Sequence, residues 1–246
     1  MSSIRLLQFT DPHLYGHEHE SLRGIETLPA FKRAIAHARM HHWTMDAFLV
    51  TGDIVQDDPG GYAHFRRLFS DLGKPVYCIP GNHDEIDAMR TALASEPFRL
   101  GGHADFDRWR VVMLDSCKPG AASGHLSDDS LAELDAALGG AKGRHVLVCL
   151  HHHPVSMSGR WLDQGGLENA DEFFRVLDAH DNVRAILWGH VHQALDSMRG
   201  RVRLLATPST CAQFQPRSDQ FVIDNMPPAY RLLTLHSNGA IDTGVH

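Results

Sequence analysis

Residues 47–53 have the sequence AFLVTGD, an apolar run that ends in Gly52 and the carboxylate of Asp53. A short apolar run closed by a glycine is typical of a buried strand that leaves its sheet in a tight turn. Working outward, four more stretches pair an apolar run with side chains that bind metals: LLQFTDPH at 6–13, VYCIPGNHD at 76–84, HVLVCLHHHP at 145–154 and AILWGHVH at 185–192. Because open α/β sheets bind ligands beyond the carboxyl ends of their strands, we expect the five clusters to meet.

Apolar runs alternate with helical patterns along the chain, which predicts an α/β layer fold. The predicted strands cover residues 4–9, 47–50, 75–79, 110–114, 145–150, 183–188 and 201–206. Helical spacing of apolar residues begins after Thr27, Gly61, Ser127 and Asn169. We expect Thr27 to be an N-cap, Asn169 and Glu172 to form a capping box, and Gly73 and Gly139 to end two of the helices.

The last part of the sequence predicts a β-hairpin. Apolar runs at 230–235 and 240–245 flank Asn238-Gly239, a dipeptide typical of two-residue hairpin turns. Strands that follow one another without a helix indicate an antiparallel addition to the sheet system. No repeat, linker or charge run divides the sequence, so residues 1–246 are predicted to form a single domain.

The composition is that of an ordinary globular protein, with 43% hydrophobic and 22% charged residues. A net charge of −7 gives no reason to expect nucleic acid or an anionic membrane as a partner. The sequence has neither an 18-residue apolar stretch nor the pattern of a secretory leader, so a cytoplasmic location is predicted. Four scattered cysteines without a C-x-x-C pair argue against disulfides and a zinc ribbon, whereas 19 histidines invite a search for metal sites.

Ligand pairs two residues apart suggest how the clusters bind ions. Side chains i and i+2 of an extended backbone point the same way, and Pro12 favours extended backbone at Asp11. Asp11 and His13 are therefore predicted to bind one ion, and the same reasoning places His190 and His192 on one face. In the triple-histidine segment, His151 and His153 are expected on one face and His152 on the other.

Taken together, the motifs resemble those of the calcineurin-like metallophosphoesterases: D-x-H at 11–13, G-D at 52–53, G-N-H-D at 81–84, an H-H-x-P-like element at 151–154 and G-H-x-H at 189–192. The segments LHHHP, WLDQ, GHVHQALD and LATPSTCAQFQP are more narrowly similar to bacterial class III 3′,5′-cyclic AMP phosphodiesterases. This resemblance implies a four-layer α-β-β-α sandwich of two mixed sheets flanked by helices. It also implies hydrolysis of 3′,5′-cyclic AMP to 5′-AMP, which lowers intracellular cyclic AMP signalling.

The resemblance further implies two metal ions per chain. At the matching positions, one ion would be held by Asp11, His13, Asp53 and His192, and the other by Asp53, Asn82, His151 and His190. Asp53 would bridge them, as a shared carboxylate does in two-metal sites with ions roughly 3.5–4 Å apart. The family commonly uses Fe and Mn, and nitrogen and oxygen ligands also suit Zn, Co or Mg, so the choice is open.

The hypothesis for the reaction is attack on phosphorus by a hydroxide that bridges the ions. His83 directly follows Asn82 and is the candidate acid for the departing 3′-oxygen, with Asp84 as the group that orients its ring. Substrate contacts are expected from His13, Asp53, Asn82, His83, His192, Trp161 and Phe214. Packing of a loop or a subunit contact explains the two aromatic residues equally well, and the roles of His152 and His153 are open. The other histidines, such as His17, His19, His41, His42 and His64, are expected to be ordinary surface residues.

Two alternatives are kept. The first is a metallophosphodiesterase of broader or different specificity, acting on 2′,3′-cyclic nucleotides or glycerophosphodiesters, since only pocket contacts would differ. The second is a non-catalytic scaffold of the same fold, which is disfavoured because such proteins lose ligands or the acid histidine. The expected partner is thus a small cyclic nucleotide, and formation of a homodimer is left open.

Overall fold

The computed structural model describes residues 3–246 as two six-stranded sheets with helices on their outer sides. The strands are β1 Ser3–Phe9, β2 Ser21–Leu22, β3 Ile25–Glu26, β4 Ala47–Thr51, β5 Val76–Ile79, β6 Phe98–Leu100, β7 Gly102–Phe106, β8 Trp109–Met113, β9 His145–Cys149, β10 Val183–Trp188, β11 Leu195–Arg199, β12 Val202–Ala206, β13 Gln213–Phe214, β14 Ile223–Asp224, β15 Arg231–His236 and β16 Ile241–Val245. The helices are α1 Thr27–His41, α2 Gly61–Phe69, α3 Ile86–Ala92, α4 Asp128–Gly140, α5 Arg160–Asp163 and α6 Ala170–Asp178.

Both large sheets are mixed. The first has the order β16-β15-β1-β4-β5-β6. Strands β1, β4, β5 and β6 are parallel to one another, β15 pairs antiparallel with β1, and β16 pairs antiparallel with β15. The second has the order β11-β12-β10-β9-β8-β7, with a parallel centre and antiparallel edge strands β7 and β11. Two parallel centres explain why helices separate most of the early strands, because parallel strands need crossover connections.

Side chains of the central strands alternate between two apolar layers. Leu7 and Phe9 of β1 pack against α1, α2 and α3, whereas Leu6 faces the second sheet. On β9, Val146 packs towards α4 and α6, and Leu147 faces the first sheet. Strands buried on both faces read as continuous apolar runs, which is why they were visible in the sequence. The predicted four-layer α-β-β-α sandwich of two mixed sheets is confirmed.

The seven predicted strands match β1, β4, β5, β8, β9, β10 and β12, with ends that differ by at most one residue. The sequence did not predict β6, β7 or β11, which lie at sheet edges and are short or polar. In residues 3–246, no helix is both long enough and apolar enough to cross a membrane. The single domain predicted for residues 1–246 stays a prediction.

Helix ends follow the sequence in part. Helix α4 begins after Ser127 as predicted, and the Ser127 hydroxyl caps it by accepting a hydrogen bond from the Ser130 amide. The N-cap of α1 is Glu26 rather than Thr27, which is the first helical residue. Asn169 precedes α6 but forms no capping box, because its side-chain amide donates to the Leu126 carbonyl and to Glu172.

The two glycines expected to end helices do not lie at the helix ends. Gly139 lies within α4, which continues through Gly140. Gly73 has a φ of +65°, but α2 already ends at Phe69. The left-handed backbone at Gly73 therefore belongs to a turn that follows the helix, and not to the helix cap.

The predicted hairpin is present as β15 and β16, although its turn is longer than the predicted two residues. The His236 amide bonds to the Ala240 carbonyl and the Gly239 amide to the His236 carbonyl, which leaves a loop of residues 237–239. Gly239 has a φ of +91°, as in a turn closed by a glycine bulge. A hairpin was therefore predictable, while the loop length was not.

Candidate metal centre

The five clusters meet where parallel strands of both sheets end. Asp11 lies two residues beyond β1, Asp53 lies two residues beyond β4, and Asn82 lies three residues beyond β5. His151 and His190 each lie two residues beyond β9 and β10 of the second sheet. The expected convergence at the carboxyl ends of the strands is thus observed, and both sheets contribute to it.

One group of donors consists of Asp11, His13 and His192, all of which are buried. The His192 Nε2 atom lies 3.3 Å from Asp11 Oδ1 and 3.1 Å from His13 Nε2. Asp53 Oδ2 is 3.8 Å from His13 Nε2. Two imidazole nitrogens and two carboxylates thus face a common point.

A second group of donors adjoins the first through Asp53. The His151 Nε2 atom is 3.4 Å from Asp53 Oδ2 and 3.3 Å from Asn82 Oδ1. Ring nitrogens of His151, His152 and His190 also lie within 4.8 Å of one another. Asp53 therefore reaches both groups, and its carboxylate is placed to be shared by two cations.

The protonation states of three of these groups favour cation binding, because each is deprotonated at pH 7. Burial opposes ionisation of Asp11 and Asp53, but His192 and His151, respectively, lower the net pKa of each carboxyl, that of Asp53 well below its usual range. Burial lowers the pKa of His13 to about 4, so its ring is neutral at pH 7. Ionised carboxylates and neutral imidazoles are the forms that coordinate metals. The donor set therefore fits divalent cations.

His151 is the exception among the ring nitrogens. Burial disfavours its charge, yet Asp53 raises the pKa of His151 to about 9, so the ring carries a proton at pH 7 when no cation is bound. A cation placed between Asp53 and His151 would replace that proton, and binding should therefore release it.

The backbone at the ligands differs from the extended geometry that was predicted. Positive φ angles of 48–64° occur at Asp11, His13, Asp53, His190 and His192. Left-handed backbone is uncommon for residues other than glycine and costs of order 1–3 kcal/mol each. The prediction that Pro12 keeps Asp11 extended is wrong, because the chain turns sharply at the end of β1.

The same turns change which donors lie together. His190 belongs with His151, whereas His192 belongs with Asp11 and His13, so the two histidines do not share one face as predicted. The alternation predicted for residues 151–153 also fails, because β9 ends at Cys149. As a result His152 joins the donors around His190, and the His153 ring stacks on His190 with centroids 5.6 Å apart.

His83 lies at the rim of the centre, with its ring centroid 5.4 Å from that of His13. Its Nδ1 atom is 3.0 Å from Asp57 Oδ2, and the Asp57 amide donates to the His83 carbonyl. Asp57 was not among the predicted site residues, although it follows Asp53 by four residues in the turn after β4. Asp57 therefore has the orienting position that was assigned to Asp84.

Asp84 connects the loop after β5, in which it lies, to the loop after β4. Its carboxylate accepts hydrogen bonds from the Ile54 and Val55 amides and from the Tyr62 hydroxyl. Loss of solvent around it and the nearby Asp53 raise the pKa of Asp84 to about 6. The prediction that Asp84 orients the His83 ring is wrong, because this carboxylate is turned towards the β4–α2 loop.

Gly52 and Gly189 lie so close to candidate ligands that neither position has space for a side chain. A side chain at Gly189 would collide with the Thr10 hydroxyl and the Asp11 carboxylate. Gly52 has a φ of +98°, and a side chain there would collide with the His151 ring. The two glycines are thus required because a ligand from the other sheet approaches each of them closely.

A cavity of about 530 Å³ opens onto the donors. Phe214 forms part of its wall and stacks on His192, with ring centroids 4.0 Å apart and planes 4° from parallel. Trp161 packs edge-on against Phe214 and Phe221, each at 5.2 Å, and Arg23 lies 4.9 Å from the Phe221 ring centre. The sequence contained no signal for Phe221, which reaches this wall through the loop between β13 and β14.

Comparisons with known proteins agree with this geometry. A model of the calcineurin-like phosphoesterase family matches residues 4–194. The 3′,5′-cyclic adenosine monophosphate phosphodiesterase CpdA of Pseudomonas aeruginosa is 40% identical over 245 residues, which is 99% of this chain and 90% of that protein. CpdA of Escherichia coli K12 is 38% identical, covering 99% of this chain and 89% of that protein.

Solved structures show the same fold at low identity. A dimetal phosphatase from Danio rerio has a TM-score of 0.66 at 15% identity, covering 94% of this chain and 95% of that one. A protein from Thermus thermophilus has a TM-score of 0.63 at 16% identity, covering 99% of each chain.

Proposed function

Since this chain belongs to the calcineurin-like phosphoesterase family, we propose that it is a metal-dependent phosphodiesterase that hydrolyses 3′,5′-cyclic AMP to 5′-AMP. The observation that carries the proposal is the 40% identity, over 99% of the chain, to a relative named as a 3′,5′-cyclic AMP phosphodiesterase. By this reaction the protein would lower cyclic AMP signalling in the cytoplasm of its cell.

Two cations are proposed to bind at the two donor groups. Asp11, His13, Asp53 and His192 would hold one ion, and Asp53, Asn82, His151 and His190 the other. When bound, such ions neutralise phosphoryl oxygens and lower the pKa of a water to near neutrality. Nitrogen and oxygen donors without thiolate are consistent with Fe and Mn, and also with Zn, Co or Mg.

His83 is proposed to give the proton that the departing 3′-oxygen needs. It is the imidazole at the rim that both lines the cavity and keeps a carboxylate partner, Asp57. The contact with Asp57 at Nδ1 turns the Nε2 atom of the ring away from that partner, and the proton would be given from Nε2. Asp57 thus positions the ring and does not touch the substrate.

The aromatic wall of Trp161, Phe214 and Phe221 is proposed to bind the adenine base of the substrate. Phe214 lies parallel to His192, and Trp161 packs against it edge-on, so the wall is already formed without substrate. A purine presents a flat face that packs well on such a surface. Contacts of the phosphate with His13, Asp53, Asn82, His83 and His192 would then fix the other end of the nucleotide.

The proposal is tested by turnover of purified, metal-loaded protein. The assay compares 3′,5′-cyclic AMP, 3′,5′-cyclic GMP, 2′,3′-cyclic AMP and a generic aryl phosphodiester, and metal analysis is done on the same sample. We expect the highest kcat/KM on 3′,5′-cyclic AMP and loss of turnover when Asp53 is replaced by Ala.

The alternatives give different results in this assay. Preference for the aryl diester or for 2′,3′-cyclic AMP, with little turnover of 3′,5′-cyclic AMP, would favour a phosphodiesterase of another specificity. Bound metal without turnover of any ester would favour a non-catalytic scaffold. The expected absence of nucleic-acid and membrane partners, and the question of a homodimer, stay predictions.

A further inference from the structure

A second group of histidines lies outside the catalytic centre, where α1 ends beside the β15–β16 hairpin. We call it the α1 histidine cluster: His37 and His41 on α1, His42 at its C-cap, and His246 just after β16. Tyr230 lies among the rings and is itself buried. Histidines more than 200 positions apart in the sequence are therefore brought together here.

The rings are spaced like those of histidines that share an ion. Centroids are 4.6 Å apart for His37 and His41, and 4.1 Å apart for His42 and His246. The His42 centroid is 6.5 Å from that of His37 and 6.2 Å from that of His41. Two imidazoles bound to one ion at about 2.0–2.1 Å have centres roughly 4.5–5.5 Å apart, so the two close pairs are already near this spacing.

Small side-chain rotations would complete the arrangement. Within residues 3–246, only the donors of the catalytic centre lie as groups of three or more within 4.8 Å, so the nitrogens of the α1 histidine cluster do not yet meet. His37, His41 and His246 are exposed, and exposed side chains change rotamer on the picosecond-to-nanosecond timescale. Since His37 and His41 are four residues apart on a helix, they stay on one face as they turn.

Contacts around the rings suit the binding of a metal ion. The His37 Nδ1 atom lies 2.8 Å from the Tyr230 hydroxyl, so the protein engages this nitrogen and leaves Nε2 for an ion. A metal-binding histidine commonly has its other ring nitrogen hydrogen-bonded in this way. Partial burial and the nearby His246 lower the pKa of His42, and partial burial and His37 lower that of His246. At His42 and His246 a cation would thus compete with fewer protons at neutral pH.

We propose that the α1 histidine cluster is a further metal site, which takes a borderline divalent cation such as Zn²⁺, Ni²⁺ or Cu²⁺ and ties α1 to the β15–β16 hairpin. Imidazole donors without a carboxylate favour these ions over Mg²⁺, Mn²⁺ or Ca²⁺. The bound ion would be separate from the catalytic pair, because none of the four histidines lines the cavity above the catalytic donors. This inference does not depend on the substrate of the enzyme.

The test compares untagged full-length protein with a His37→Gln/His41→Gln variant. Each is equilibrated with Zn²⁺ and desalted, and the bound zinc per chain is measured. We expect wild type to keep one equivalent more than the variant, and to need more imidazole for elution from an immobilised Ni²⁺ resin. Turnover after Mn²⁺ loading should be equal in both proteins. A His17→Gln/His19→Gln variant, which also removes two exposed histidines, should behave as wild type.

A second readout concerns the tie between α1 and the hairpin. Zn²⁺ should raise the thermal unfolding midpoint of wild type more than that of His246→Gln, while the two midpoints agree without zinc. Equal zinc content and equal resin retention of wild type and the His37→Gln/His41→Gln variant would overturn the proposal. So would unchanged zinc affinity in His246→Gln, which would reduce the site to a simple pair of helical histidines.

Discussion

The environment of His83 shows that spatial neighbours, rather than sequence neighbours, decide what a residue does. Asp84 is adjacent in sequence, yet its carboxylate faces the Ile54 and Val55 amides. Asp57 approaches the ring from the turn after β4, with its Oδ2 atom 3.0 Å from His83 Nδ1. Removal of Asp57 and removal of Asp84 should therefore have different consequences.

Substitution of His83 should impair the chemical step and spare the metals. We expect His83→Ala to lower kcat on 3′,5′-cyclic AMP by about 10²–10⁴-fold, the usual contribution of a general acid. Asp57→Asn should cause a smaller loss of kcat and a changed pH profile, since the ring stays but loses its anionic partner. Both are checked by kcat, KM and bound metal per chain.

The matched comparison is Asp84→Asn. It should lower the unfolding midpoint, because the carboxylate that joins the β4 and β5 loops is weakened. Full turnover by His83→Ala, with both metals retained, would contradict the acid assignment. A kcat for Asp57→Asn equal to that of wild type would contradict the positioning role of Asp57.

At this scale the identity of the candidate ligands was predictable, and their geometry was not. The residue types in D-x-H, G-D and G-H-x-H pointed to Asp11, Asp53 and His192, and these side chains do converge with the other donors. The positive φ angle of Asp11 was not predictable, because the following Pro12 argues for extended backbone at this position. Such strain is imposed by the surrounding structure and leaves no local signal.

At the scale of elements, the loop after β10 packs directly on the loop after β1. The Asp11 carboxylate accepts the His190 amide at 3.0 Å, and Gly189 leaves the space for this contact. The two loops come from different sheets, so their spacing sets the distance between the two donor groups.

A methyl group at position 189 should therefore disturb the centre more than the fold. Gly189→Ala is expected to lower metal content and turnover at least tenfold, because the new Cβ would displace the Asp11 side chain. Gly139→Ala is the control: Gly139 lies within α4, and a Cβ there would contact only His180, at 3.7 Å. That change should add up to about 1 kcal/mol of stability, as expected for alanine in a helix. Normal metal content and turnover in Gly189→Ala would contradict the steric argument.

The elements that could be predicted are those buried on both faces. The runs that became β4, β9 and β10 stand out because all but one residue of each strand is apolar and buried. The edge strand β11 has the sequence LDSMR and alternates between half-buried and exposed residues, so no apolar run marked it. Its existence depends on pairing with β12, a contact that the local sequence does not encode.

For the whole molecule, the candidate centre lies across the junction of the two sheets. Asp11, Asp53 and Asn82 come from the first sheet, and His151 and His190 from the second. The sheets are held by an apolar layer between them, with Leu6 on one side and Leu147 on the other. The fold therefore does not depend on the ions, while the ions should add stability across the junction.

Removal of metal separates these two contributions. After chelation we expect the far-ultraviolet circular dichroism to be unchanged, turnover to be lost, and the unfolding midpoint to fall. Asp11 and Asp53 are buried carboxylates that would lose their countercharge, which gives the physical reason for the fall. A ligand at one hundred times its Kd stabilises the folded state by about 2.7 kcal/mol. For a chain of this size 1 kcal/mol corresponds to roughly 2–4 °C, so each ion should account for about 5–10 °C.

Added Mn²⁺ should restore both turnover and the unfolding midpoint of wild type. In Asp53→Ala, added Mn²⁺ should raise the midpoint less than in wild type, because the shared carboxylate is gone. Loss of the circular dichroism signal on chelation would mean that the ions, rather than the apolar layer, hold the sheets together. An unchanged midpoint would mean that the donors bind no cation with useful affinity, and the metal centre proposed for this chain would then be wrong.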